Sequence, residues 1–271
     1  MKASSAIGLV IGIAGIGIGA TVEGSNVMAI LNVPAILIVL GGTFGATMAG
    51  TSFDATKNIP KLYKKAFSAE PPDLVGRVKE LVGYAEKARR DGLLALDEQL
   101  STVEDVYTRK GLQLVVDGTD PDLVAEVLET ENSAMKKRHA AAVQPFDKAG
   151  GFAPTIGIIG TVFGLVHVLE NLDAPETLGP SISSAFIATL LGVASANLIY
   201  LPISNRVKQL SAEELQFRAM TLEGILAIQA GDNPRVLEEK LMAFVPPSLR
   251  PSGDEADGDA DAPGGAARQA A

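Results

Sequence analysis

The sequence has no cysteine and only two histidines, His139 and His167, which lie far apart along the chain. Without cysteine there is no disulfide framework and no thiolate metal site, and two separated histidines give no reason to expect a bound metal. Basic residues are outnumbered, 23 Lys and Arg against 32 Asp and Glu, and the resulting net charge of -9 argues against nucleic acid as a partner. Only 20% of the residues are charged and 47% are hydrophobic, a balance that points to membrane segments.

Ionised side chains are absent from four long apolar runs. The runs cover residues 6–22, 30–50, 152–169 and 182–203. Each is close to the ~20 residues that cross a bilayer core, where one charge costs about 2.5–3.5 kcal/mol. We predict four transmembrane helices, because burying four such runs in a soluble protein would need a far larger soluble shell. No clear small-x-small cleavage site follows the first run, so it is interpreted as an anchor and not as a signal peptide.

Basic residues are unevenly distributed between the loops. They follow the second run, precede the third and follow the fourth: Lys57, Lys61, Lys64, Lys65, Lys136, Lys137, Arg138, Lys148, Arg206 and Lys208. The two short loops, between runs one and two and between runs three and four, contain neither Lys nor Arg. The positive-inside rule therefore predicts that both short loops face outward and that both termini are cytoplasmic.

The remaining segments divide into three predicted parts. Residues 51–151 are expected to form a helical cytoplasmic domain, because a Pro-Asp start precedes apolar residues at helical spacing (Leu74, Val78, Leu81, Val82, Ala85). Residues 204–246 are expected to form further cytoplasmic helices. Residues 247–271 are rich in Pro, Gly, Ala and Asp and are predicted to be a disordered acidic tail. The predicted fold is an all-α integral membrane protein with four transmembrane helices and a helical cytoplasmic domain inserted between helices 2 and 3.

Small residues and threonines share one helical face in each of the last two runs. The faces are Pro154, Gly157, Thr161 and Gly164, and Ala185, Thr189, Gly192 and Ala196. One hypothesis is close packing, with the threonine hydroxyls bonded to their own backbone. The other is an ion pathway lined by Thr161, Thr189 and Thr155, because hydroxyl oxygens suit a small hard cation or a water chain carrying protons. No run carries a carboxylate, so conduction would need an acid from a partner chain.

Enzyme signatures are missing. There is no nucleophile motif, phosphate loop, paired-acid pattern or metal-ligand spacing. The glycine repeat "GIGIG" lies in an apolar run without the strand and the following acid that a dinucleotide site needs. We therefore expect a protein that is not an enzyme.

Seven collinear segments then carry a resemblance to a known family. They are "VEG" (22–24), "PAILIVLGGTFGA" (34–46), "ARRDGLLALDE" (88–98), "VDGTDPDLV" (116–124), "APTIGIIGTVFGLVHVLENL" (153–172), "LGPSISSAFIATLLGVASANLIYLPI" (178–203) and "EGILAIQAGDNPRVLEEKL" (223–241). The chain resembles the A subunits of the bacterial flagellar motor stator, MotA and PomA, within the wider MotA/TolQ/ExbB ion-driven group.

The resemblance implies a homo-oligomeric ring of five A subunits in the bacterial inner membrane. The ring would surround two MotB/PomB-like subunits, whose transmembrane aspartate would supply the missing acid. Ion flow would turn the ring, and the cytoplasmic domain would push the rotor protein FliG. No cofactor is implied beyond the transported H⁺ or Na⁺.

The resemblance also implies roles for particular residues. Rotor contacts would be made by Arg89, Arg90, Asp97 and Glu98, with Asp97 standing where the family usually has the longer Glu. Pro154 and Pro202 would couple the channel to the inner domain. From the residues alone, a solvated charged face is the favoured explanation of the four charges, and ordinary helix boundaries explain the two prolines equally well. Thr161 favours Na⁺, transiently held near Thr161 and Thr189, because several proton-type members have Ala at that position; the coupling ion stays open.

Two other functions remain as alternatives. One is a stator-like ion-driven unit of the ExbB/TolQ or phage-defence type. ExbB/TolQ members have three spans, so the four predicted spans and the segment 88–98 argue against that type. The other is a non-conducting membrane scaffold, in which the threonines could be changed freely.

Overall fold

The computed structural model describes residues 2–24 and 27–250. These residues form helices and connecting turns, with no β-strand among them, which confirms the predicted all-α class. The α-helices are α1 (Lys2–Val22), α2 (Val33–Ile36), α3 (Gly42–Gly50), α4 (Phe53–Lys57), α5 (Ile59–Ser68), α6 (Leu74–Asp91), α7 (Asp97–Leu100), α8 (Val106–Val116), α9 (Pro121–Glu170), α10 (Pro175–Ser195), α11 (Leu201–Ala230) and α12 (Pro234–Met242). Short 3-10 turns cover Val27–Ile30, Leu93–Leu96 and Pro247–Leu249, and π-helical turns cover Leu37–Gly41 and Ala196–Tyr200.

The second apolar run becomes regular helix at Val33, three residues later than predicted. The reason is Asn32, whose side chain accepts a hydrogen bond from the Ala35 amide at 3.0 Å and so caps the helix. Pro34 then occupies the first turn, where its missing N–H costs nothing. The π-helical turn joins α2 to α3, giving one helical segment from Val33 to Gly50.

The two long helices run through boundaries that the sequence predicted. Helix α9 has 50 residues and continues from the predicted cytoplasmic helix into the third apolar run. Pro145 and Pro154 lie inside it, because a proline removes one backbone bond without forcing the preceding helix to end. Helices α10 and α11 are joined by a π-helical turn, so the fourth apolar run and the first part of the predicted cytoplasmic region 204–246 form one segment, Pro175–Ala230.

Three helical segments of the described chain are long and apolar enough to span a membrane: Val33–Gly50, one within Pro121–Glu170 and one within Pro175–Ala230. The apolar helix Ala6–Val22 is shorter. Large apolar side chains on these helices are exposed in the single chain, among them Ile11 and Phe163. An exposed apolar surface of this extent indicates cover by lipid or by other chains.

The chain divides into two compact units. Unit 1 is Met1–Pro71 with Glu131–Leu215, and unit 2 is Pro72–Thr130 with Gln216–Ala271. Residues 51–71 and 131–151, predicted to belong to the inner domain, therefore pack with the apolar helices. The predicted placement of that domain stays a prediction.

Unit 2 has its own apolar core. Val78, Leu81 and Ala85 of α6 are buried, as the sequence pattern predicted, against a cluster that includes Leu128 and Ile225. Asp73 caps α6 by accepting from the Gly76 amide at 2.9 Å.

Unit 1 has a smaller core next to its apolar helices. It contains side chains of α5, α9 and α11: Ala66, Val143, Phe146, Ile203 and Val207. The predicted tail begins with the 3-10 turn Pro247–Leu249, which belongs to unit 2. Its remainder, residues 251–271, lies outside the described residues.

Candidate functional site

Glycines bring the backbones of α9 and α10 into direct contact. A Cβ atom added at Gly157 would lie 2.9 Å from the Ala188 carbonyl oxygen, and one added at Gly192 would lie 3.1 Å from the Gly157 Cα. The first distance is shorter than a carbon atom tolerates, and a Cβ atom at Gly192 would also overlap the Ala153 carbonyl oxygen. The small residues predicted from the sequence therefore form a seam, here called the α9–α10 seam, that no larger side chain can enter.

The hydroxyls of Thr161 and Thr189 meet in the α9–α10 seam and hydrogen-bond to each other. The Thr161 Oγ1 lies 3.1 Å from the carbonyl oxygens of Gly157 and Ala185, and the Thr189 Oγ1 lies 3.3 Å from the Gly157 oxygen. The result is a half-buried group of hydroxyl and carbonyl oxygens, the ligand type that hard cations and proton-carrying water prefer. The same bonds satisfy both hydroxyls, so the packing hypothesis is compatible with them as well.

Thr155 does not join this pair. Its side chain is exposed and donates to the Phe152 carbonyl at 2.8 Å. The structure thus brings together two of the three predicted threonines, and the ion-pathway role of all three remains a prediction.

A cleft of about 420 Å³ lies between α2, α9 and α10. Its lining is Pro34, Ala35, Ile38, Gly160, Phe163, Gly164, His167, Pro180, Ser181, Ser184, Ala185 and Ala188. Hydroxyl and imidazole groups are present, but none of these lining residues is a carboxylate. Across the described residues, no group of three or more His, Asp or Glu side chains is placed to hold a metal ion.

The two prolines predicted to couple the channel to the inner domain lie where the regular α-helical hydrogen bonding is interrupted. Pro154 is inside α9, and Pro202 is the second residue of α11, which begins directly after the π-helical turn Ala196–Tyr200. π-helical turns and prolines both weaken the regular hydrogen-bond ladder, which permits bending. The coupling role of the prolines stays a prediction.

An ionic clamp between α9 and α11 was missed by the sequence analysis. Asp147 accepts a hydrogen bond from Ser204 Oγ at 2.5 Å and pairs with Lys208 Nζ at 2.7 Å. Asp147 precedes Pro154 in α9, and its two partners follow Pro202 in α11. The only sequence trace of the Asp147 clamp is one acid and one base in separate segments, which does not by itself indicate a pair.

The predicted rotor-contact residues lie around one turn of unit 2. Arg89 and Arg90 are exposed at the end of α6, and Asp97 and Glu98 are exposed at the start of α7. Gly92, with φ of 87°, lets the chain reverse between them.

Their ion pairs are with neighbours that the sequence analysis did not select. Arg90 binds Asp91, with an Nη2–Oδ2 distance of 3.0 Å, and Glu98 pairs with Lys87 at 3.4 Å. The hydrogen bonds to Asp91 raise the pKa of Arg90, and the same bonds lower the pKa of Asp91. Leu94, 75% exposed, lies between the charged groups. This surface therefore carries two compensated charges, Arg90 and Glu98, around an apolar residue.

An all-helical chain with membrane-length apolar helices and a hydroxyl pair in a glycine seam has the architecture of a multi-pass membrane protein. Residues 99–220 match the MotA/TolQ/ExbB proton channel family. Motility protein A of Bacillus subtilis (strain 168) is 34% identical over 250 residues, covering 91% of this chain and 92% of the relative. Chemotaxis protein PomA of Vibrio alginolyticus is also 34% identical, over 90% of this chain and 96% of PomA.

A solved structure agrees over nearly the same length. The flagellar MotAB stator complex from Bacillus subtilis contains a chain that superposes with a TM-score of 0.84 at 33% identity, covering 89% of this chain and 94% of that one. The chain belongs to the MotA/TolQ/ExbB proton channel family.

Proposed function

We propose that this chain is the ion-conducting A-type stator subunit of a bacterial flagellar motor. The observation that carries the proposal is the structural likeness to the flagellar stator complex across 89% of the chain at 33% identity. The motility relatives support it over the same length. The subunit couples ion flow across the inner membrane to torque on the rotor and carries out no catalysis.

The proposed membrane arrangement has four spans. Three come from the helical segments of membrane length, and α1 supplies the fourth. Both termini and unit 2 lie in the cytoplasm in this arrangement, as the distribution of lysine and arginine supports.

A MotB-type partner completes the pathway. The cleft lining and the Thr161–Thr189 pair contain no carboxylate, and a transmembrane aspartate of the partner supplies one. Five copies of this chain surround the partner subunits. The surface with Arg89, Arg90, Asp97 and Glu98 faces the rotor protein FliG, and Pro154 and Pro202 transmit movement toward it.

The transported ion is H⁺ or Na⁺, with Thr161 favouring Na⁺. One charge that crosses 100 mV releases about 2.3 kcal/mol, so each ion delivers enough energy for a step built on weak surface contacts.

The test is the swimming speed of a strain that depends on this chain, with sodium varied at fixed pH and ionic strength, beside a Thr161→Ala variant. Speed that rises with sodium and loses that dependence in the variant supports a sodium stator. Swimming speed that does not depend on sodium and falls to zero with a protonophore supports a proton stator. No motility in either condition, with the partner subunit present, would assign the chain to a different ion-driven process.

A further inference from the structure

Helices α4 and α5 carry local positive charge in an otherwise acidic chain. Their lysines are Lys57, Lys61, Lys64 and Lys65, and their acid is Asp54. Four positive charges and one negative charge give a local net charge of +3, whereas the whole chain has -9. A surface of this sign stands out against the remainder of the molecule and suits a negatively charged partner.

Helix α5 has two distinct faces. Ile59, Leu62, Tyr63 and Ala66 pack on the unit 1 core, and the ring of Tyr63 lies 5.8 Å from that of Phe146. Lys61, Lys64 and Phe67 follow each other at intervals of three residues on the exposed side, and Pro60 lies one turn before Lys64. We call this exposed side, with Lys57 of α4, the lysine face.

Most lysines of this face are exposed and are not neutralised by a salt bridge. Lys65 lies 3.8 Å from Glu214, so it already has an acidic neighbour. Lys57, Lys61 and Lys64 are exposed, and no salt bridge is found for them among the described residues. Asp54, the single acid of these two helices, is also exposed.

The lysine face lies next to the inner end of the apolar helices. The segment Val33–Gly50 ends three residues before α4 begins, and the Gly50 carbonyl accepts a hydrogen bond from Lys148 of α9. Phe53 is 70% exposed and Phe67 is 37% exposed, so apolar rings flank the lysines. Lysines beside exposed aromatic rings at a membrane boundary are typical of an interfacial segment.

We infer that the lysine face binds the phosphate groups of anionic phospholipids in the cytoplasmic leaflet. This inference rests on the proposed membrane arrangement, which places α4 and α5 at that leaflet. The positive lysines attract the negative headgroup phosphates, while Phe53 and Phe67 contact the boundary between headgroups and acyl chains. Each lysine near an anionic leaflet strengthens binding by about five-fold.

The test uses the full chain assembled with its partner subunit in neutral detergent. The complex is titrated with phosphatidylglycerol or phosphatidylcholine, and bound lipids are counted by native mass spectrometry. We expect tighter binding of phosphatidylglycerol than of phosphatidylcholine. Lys61→Gln/Lys64→Gln should weaken phosphatidylglycerol binding about 25-fold and leave phosphatidylcholine binding unchanged.

A control removes the same charge elsewhere. Lys79 and Arg235 are exposed in unit 2, and Lys79→Gln/Arg235→Gln should retain phosphatidylglycerol binding. Equal binding of both lipids, or equal loss in both double variants, would overturn the inference. Loss of subunits from the Lys61→Gln/Lys64→Gln complex regardless of lipid would overturn it too, because the lysine face would then contact a protein chain.

Ion conduction separates this inference from the proposed function. The same complexes are reconstituted in phosphatidylcholine vesicles, and ion flux is recorded. Normal flux without lipid preference would remove the lipid inference and leave the stator function. Lipid preference without ion flux would support the lipid inference and contradict the proposed stator function.

Discussion

At the scale of single residues, the Thr161–Thr189 pair concentrates oxygen atoms where the helices otherwise present carbon. Two hydroxyls share the Gly157 carbonyl as a neighbour, so removing either one changes the hydrogen bonds of the other. Substitutions that keep the shape and remove the hydroxyl therefore separate the packing hypothesis from the ion hypothesis.

We expect Thr189→Val to lower ion flux by about ten-fold, because one lost hydrogen bond to the ion or its water is worth about 1.4 kcal/mol. Valine keeps the volume of threonine, so the α9–α10 seam should stay closed. Flux is measured in vesicles that contain the complete complex. Thr189→Ser is the control and should retain flux, whereas full flux in the valine variant would support packing alone.

The exposed charges of unit 2 allow a charge-exchange experiment. Lys87→Glu/Glu98→Lys keeps the ion pair and reverses its direction. Glu98 is 84% exposed, so the pair contributes only about 0–1 kcal/mol to stability. We expect normal amounts of assembled complex but reduced swimming torque, measured on tethered cells. Normal torque in the exchanged variant would mean that the pair matters only within unit 2.

At the scale of helices, the close contact between the backbones of α9 and α10 determines which glycines can be replaced. Gly157→Ala would force its Cβ to within 2.9 Å of the Ala188 oxygen. We expect this overpacking to cost about 1–3 kcal/mol and to reduce the amount of complex that survives detergent heating. Gly151→Ala is the matched control in the same helix, because its added Cβ meets nothing within 4 Å. Equal thermal survival of both variants would contradict the tight seam.

The prolines of α9 provide a second comparison between positions in one helix. Pro154→Ala restores a backbone donor near the α9–α10 seam, and Pro145→Ala does so more than two turns earlier. We expect Pro154→Ala to slow swimming at unchanged complex abundance, since the restored backbone hydrogen bond would stiffen the helix at this position. Pro145→Ala should have the smaller effect. The reverse order of swimming speeds would place the bend at Pro145.

The helices also show where sequence patterns succeed and where they fail. The α6 face and its Asp73 cap follow from local spacing, so they could be predicted. The continuity of α9 through Pro145 and Pro154 could not, because a proline in sequence equally indicates a kink and an end. The small-residue faces of Thr161 and Thr189 could be predicted from spacing, whereas the separation of Thr155 from that pair could not. The Asp147–Lys208 clamp depends on how two distant helices pack, which one sequence does not reveal.

At the scale of the whole molecule, the two compact units have separate apolar cores. Leu128 is fully buried in unit 2, whereas Leu123, in the same helix, is 49% exposed. We expect Leu128→Ala to lower the free energy of unfolding of unit 2 by about 2–5 kcal/mol and Leu123→Ala to lower it far less. Limited proteolysis of isolated membranes should then cleave unit 2 of the Leu128 variant while unit 1 stays intact. Simultaneous loss of both units would contradict independent cores.

Ala196–Tyr200 has a consequence for the history of the chain. A π-helical turn holds about one residue more than an α-helical turn, so it marks the place where a single-residue insertion can be absorbed without rotating the helix beyond it. Deleting one residue inside 196–200 converts the turn to regular helix and keeps Ser204 facing Asp147. The same deletion a turn later would rotate the rest of α11 by about 100°. Length variation among related chains should therefore be tolerated inside this turn and avoided after it.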